Sequence, residues 1–183
     1  MVSDGGSYFY GSVPGAPTCT ADDAISGLAS CDVTGYGTSV GSHSLTATAT
    51  DNAGRTATAT GSYTVNPWSL KGFYQPVDMS GIYNVGKAGS TIPLKFNIFA
   101  GSTEITDTSA VTSVTSTKVV CSSGAPTDAI ETYATGGTSL RYDSTAKQFV
   151  YNMATAKSLA GSCTKTTLTT QDGSTMSALF MLK

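Results

Sequence analysis

Apolar and polar residues along this chain keep returning to a period of two. In LTATATDNAGRTATATGSYTV, Leu45 to Val65, two alternating runs flank Asp51-Asn52-Ala53-Gly54-Arg55. A short Gly-containing loop between such runs predicts a β-hairpin. Ala47 and Ala49 share one face with Leu45, and Thr46, Thr48 and Thr50 share the other. Upstream, Tyr8, Phe9 and Tyr10 predict a first strand, while Gly35-Tyr36-Gly37 and Val40-Gly41-Ser42 mark turns that take in His43. The alternation stops at Val65-Asn66-Pro67-Trp68, because Pro67 has no N–H to give to a central ladder. A second series then predicts strands at 82–85, 91–99, 111–120, 140–142, 148–152, 163–169 and 174–182. Turns separate them at Gly86 to Gly89, Ala100-Gly101, Gly136-Gly137 and Asp172-Gly173. No segment holds a 3.6-residue apolar period. Short strands with frequent turns predict an all-β chain built as sandwich or barrel. The joint at Pro67 predicts two tandem domains, residues 1–67 and 68–183.

Composition sharpens the picture. Only 12% of the 183 residues are charged and the net charge is −2, against a usual charged share of ~25%. The ten Lys and Arg form no stripe, which argues against nucleic acid as a partner. There is no apolar run of about 18 residues, so no helical membrane span is expected. MVSDGGS has neither the basic nor the apolar part of a signal peptide, so any export signal is expected upstream of Met1. Thr and Ser take the place of charge: a branched Cβ suits the pleat, and the hydroxyl keeps a solvent face wet. That balance points to an extracellular β-protein.

The cysteines fit the division. Cys19 and Cys31 fall in the first unit, Cys121 and Cys163 in the second. Two per domain favours one disulfide inside each, in an oxidising compartment. Free thiols are the alternative; zinc lacks a CxxC pair and has one histidine to draw on.

Two stretches resemble known families. PTCTADDAISGLASC with GSHSLTATATDNAGRTATATGSYTV resembles bacterial immunoglobulin-like domains of exported actinobacterial proteins. Pro93-Leu94-Lys95-Phe96, with WSLKGFYQPVDMSGIYN, SLRYDSTAKQFVYN and QDGSTMSALFMLK, resembles the domain named for its Pro-x-Lys-Phe (PxKF) motif. In this chain Met153 replaces the family's usual Trp, and Arg55 its usual Asn. The resemblance implies two tandem immunoglobulin-like β-sandwiches at the C-terminus of a larger secreted or cell-surface protein. It implies no activity and no cofactor, and it makes the upstream domains of the same polypeptide the natural partners.

Four groups of residues could carry chemistry. Alternation puts Ile92, Leu94, Phe96 and Ile98 on the core face, so Lys95 turns away beside Asn97. A Lys95–Asn152 isopeptide bond would instead require a desolvated amine. Asp22, Asp23, Asp32 and Asp51-Asn52 could offer oxygens to calcium, but turn roles explain them equally well. Trp68, Phe73 and Tyr74 form either an interdomain packing surface or a platform for glycan or cell wall. Catalysis lacks parts: His43 stands without a nucleophile pattern, and neither Glu104 nor Glu131 lies in a motif. The expectation is a monomeric, non-catalytic structural module, with an accessory glycan-binding module as the alternative.

Overall fold

The computed structural model describes residues 1–123, 125–130, 133–134 and 138–183. The Gly136-Gly137 turn and Glu131 lie outside the described residues. The chain forms two compact units, Met1–Trp68 and Ser69–Lys183, and both are all-β.

The first unit holds four strands, Gly6–Phe9 (β1), Leu28–Thr34 (β2), Gly41–Asp51 (β3) and Thr56–Asn66 (β4). They form one sheet in the order β1-β4-β3-β2, with β1 parallel to β4 and the other pairs antiparallel. The β3–β4 hairpin turns at the expected loop. The Asp51 N–H donates to the Arg55 carbonyl, and Gly54 takes a φ of +83° that its missing Cβ makes cheap. His43 is not in a turn: it is the third residue of β3. Gly41, at φ +131°, opens the strand directly, so the Gly-rich signal marks where pairing begins.

Register sets the faces. Thr46, Thr48 and Thr50 pair with Thr60, Thr58 and Thr56 on one side, and Ala47 and Ala49 with Ala59 and Ala57 on the other. The alanine side is the inner one. There Leu45, Tyr63 and Val65 cluster with Val2, and Tyr8, Tyr10, Val13 and Val33 pack around them. The small alanines leave room for Cys19 to Ala21 to lie across the sheet, enclosing a shallow groove of about 180 Å³. Cys19–Cys31 fastens that segment down.

The second unit is a two-sheet sandwich. Its strands among the described residues are Ser69–Tyr74 (β5), Tyr83–Gly86 (β6), Thr91–Ala100 (β7), Thr103–Ile105 (β8), Val111–Val119 (β9), Thr127–Ala129 (β10), Leu140–Asp143 (β11), Gln148–Ala154 (β12), Ser162–Thr170 (β13) and Thr175–Leu182 (β14). One sheet runs β10-β6-β14-β13-β9, the other β11-β12-β7-β5, with β8 paired to β7. Ile92, Leu94, Phe96 and Ile98 are each 0% exposed, as alternation requires. Phe96 stacks on Phe149 at 5.2 Å and meets Phe73 edge-on at 6.0 Å. Met153 accepts hydrogen bonds at its sulfur from Thr166 (3.2 Å) and Ser116 (3.6 Å) of the facing sheet. Cys121–Cys163 ties the chain just past β9 to the start of β13.

Candidate functional site

Polar side chains gather on the outer face of β7. Strand alternation sends Pro93, Lys95, Asn97 and Phe99 to that side. Pro93 and Asn97 are buried there, and Lys95 is half-buried. Asn97 donates from Nδ2 to Glu104 Oε1 (2.5 Å) and to the Lys147 carbonyl (2.6 Å). Glu104 reaches it because β8 folds back on β7, with Phe99 opposite Glu104. Burial raises the phenol of Tyr142, and its hydrogen bond to Glu104 and that carboxylate's charge raise it further. Tyr74 is raised by burial first and by Glu104 second. Lys71 lies opposite Asn97 and places its ammonium 4.7 Å from the Phe99 ring centre. Glu104 thus meets the Asn97 amide and the Tyr142 hydroxyl, and Tyr74, opposite Lys95, adds a partly exposed ring to the outer face.

The isopeptide pair is brought onto one face of adjacent strands. Asn152 lies opposite Pro93 and Lys95 opposite Val150, so the two are diagonal neighbours. Asn152 is 6% exposed, and its Oδ1 has no hydrogen-bond partner among the described residues.

The aromatic residues do different work. Trp68 falls in the first unit, where its indole N–H donates to the Tyr10 carbonyl (3.0 Å) and its ring meets Tyr10 edge-on at 5.3 Å. Phe73 is 4% exposed against Phe96 in the second unit. Tyr74 is 37% exposed.

The aspartates close loops. Asp23 Oδ1 accepts from the N–H groups of Ile25 (2.8 Å), Ser26 (2.7 Å) and Gly27 (3.2 Å), and these bonds hold its carboxyl below the usual range. Asp51 Oδ1 accepts from Arg55 N (2.8 Å), and Asn52 Nδ2 donates to Ser26 O (2.8 Å). Among the described residues no three His, Cys, Asp or Glu side chains converge as metal ligands. His43 stacks on Tyr63 at 5.1 Å, and its Nε2 lies 2.7 Å from the Ser39 carbonyl. The Tyr63 hydroxyl bridges the Gly37 N–H (2.8 Å) and carbonyl (2.6 Å). Sequence reasoning missed Glu104 with Tyr142 as a pair, and the spacing of 38 residues across two hairpins gives no local signal of it.

No protein-family model matches the chain, and no curated protein matches it. Among solved structures it is similar to SGBP-B of the Bacteroides ovatus mixed-linkage glucan utilization locus, determined with a mixed-linkage heptasaccharide. The identity is 14% over 79% of this chain and 30% of that one, with a TM-score of 0.25. A chimeric titin Z1Z2 tandem bearing a fibronectin peptide is 18% identical over 78% of this chain and 65% of that one, with a TM-score of 0.29. A titin I-band fragment is 12% identical over 78% and 41%, with a TM-score of 0.28. The chain thus spans less than two thirds of the length of each of these three. No helix among the described residues is long and apolar enough to cross a membrane.

Proposed function

We propose that the chain is a non-catalytic structural module of an extracellular protein, a spacer or presenting element at the C-terminal end of a larger secreted or cell-surface polypeptide. One observation carries this reading: all four cysteines are paired, one disulfide inside each unit. Such bonds form and persist in oxidising compartments. By the chain-entropy estimate, loops of 12 and 42 residues are worth about 3 and about 4 kcal/mol. The supporting pattern is that Trp68, Phe73 and Asn97 each make packing or hydrogen-bond contacts within their own unit.

The test is protease exposure of the full chain with and without reductant. Oxidised protein is expected to persist and reduced protein to be cut. Equal, fast cutting of both forms would sink the spacer reading.

A second reading, an accessory glycan- or cell-wall-binding module, is favoured by Tyr74, the open aromatic ring close to Glu104. Pull-down on insoluble polysaccharides with the unmutated chain, Tyr74→Ala and Trp68→Ala tests it. Retention lost in Tyr74→Ala alone would support that face. No retention of the unmutated protein would remove the reading.

A further inference from the structure

Sheet edges in natural proteins are blunted by charge, proline, bulges or brevity, because an open row of N–H and C=O groups recruits another strand. Most edges here follow that rule. β2 carries Asp32 and a bulge near Leu28, and β5 carries Lys71 and a bulge after Gly72. β9 carries Lys118, and β11 carries Arg141 and Asp143. β8 and β10 have three residues each, and β1 has four. Among the described residues of the first unit, one stretch stays open: Thr56-Ala57-Thr58-Ala59-Thr60 of β4. β1 pairs with β4 only from Tyr63 to Asn66, so these five residues, all exposed, form an edge without charge, proline or bulge.

The direction of the free groups follows from Ser62. Its N–H donates to Asp4 Oδ1 (2.7 Å) and its carbonyl accepts from Gly5 N (2.7 Å), so both point away from β3. A period of two then turns the N–H and C=O of Thr60, Thr58 and Thr56 to the same open side. Hydrogen-bonded partners in an antiparallel ladder are residues of this kind on both strands. A twofold pairing of two β4 edges with Thr58 opposite Thr58 and Thr56 opposite Thr60 matches all six groups at once.

The charges at the two ends fit the same register. Arg55 precedes the open edge, and in that pairing it falls opposite Gly61 of the other copy. Gly61 has no side chain, and the Asp4 carboxylate occupies the adjoining space: a Cβ there would lie 3.1 Å from Asp4 Oδ1. Arg55, Ala57, Ala59 and Gly61 share the inner side of the sheet, so Arg55 of each copy meets Asp4 of the other. Within one copy, Asp22, Asp23 and Asp51 line the same groove as Arg55.

We propose that two copies of this chain associate in solution through the Thr56–Thr60 edge of β4, paired antiparallel about Thr58, with reciprocal Arg55–Asp4 ion pairs at the ends.

Sedimentation and light scattering of the full chain from micromolar to millimolar concentration test this. The 18.6 kDa mass is expected to double as concentration rises, and added salt is expected to oppose the doubling. Thr58→Pro removes an outward N–H and leaves the β3 ladder its bonds; Thr58→Lys puts a charge on the edge. Both are expected to stay monomeric with an unchanged circular dichroism spectrum, and Arg55→Glu is expected to dimerise more weakly. A chain that stays monomeric at millimolar concentration overturns the proposal. So does a dimer that Thr58→Lys and Arg55→Glu leave intact.

Discussion

Ser69–Lys183 closes its apolar side chains between two five-stranded sheets, whereas the apolar cluster of Met1–Trp68 lies under a single four-stranded one. Both obey the same alternation, but they fill the inner face with different volumes. The second unit uses Phe96, Phe149, Phe180 and Leu168, all 0% exposed. Over half the hairpin the first uses alanines, where a cross-lying segment fastened by Cys19 takes the place of large side chains. A sheet can thus be closed by packed volume or by a covalent strap, and the two remedies fail in different ways.

The largest effect is expected where volume does the closing. Phe96→Ala removes a ring stacked on Phe149 and edge-on to Phe73, a change that costs about 4 kcal/mol. Denaturant unfolding should show one destabilised transition while the transition of the first unit stays put; a shift of both would make the contrast false. The strap comes next. Replacing Cys19 and Cys31 by Ser should cost about 3 kcal/mol, a larger share of stability in a unit this small. Loss of the first unit's fold with the second's intact is the expected result, read by calorimetry. The smallest effect concerns the polar bond between Glu104 and Tyr142. Glu104→Gln removes the charge that helps hold the Tyr142 phenol up, so Tyr142 should ionise at lower pH, seen by ultraviolet titration. Tyr8, lowered by its hydrogen bonds to Ser3, should not move.

Much of this fold is legible as alternation. The Leu45–Val65 hairpin and strands β6, β7, β9 and β11 to β14 lie within a few residues of their expected places. What escapes has a physical reason in each case. β5 reads as an aromatic joint because Gly72 breaks its period. The register slips between Gly72 and Tyr74, and a Cβ on Gly72 would lie 2.8 Å from the Lys95 carbonyl. β2 is masked by its own bulge and by having few buried residues. The parallel pairings β1–β4 and β6–β14 join segments far apart in sequence, and no local pattern encodes register over such a span. Lys95 shows the limit from the other side. Alternation correctly turns it off the core face, yet its neighbour Asn97 is buried on that side, because Glu104 of β8 and the chain at Lys147 cover what alternation alone would leave to water.

The parallel pairing of β1 with β4 has a mechanical meaning. Pulling the unit by its two ends drags β1 toward its own start and β4 toward its own finish, so the two strands slide along each other. Gly6–Tyr63, Ser7–Thr64, Tyr8–Val65 and Phe9–Asn66 are then loaded together and must rupture together, unlike the teeth of a zip. Should that patch yield, Cys19–Cys31 still withholds the stretch between them from extension, so the tether lengthens by less than its residue count allows.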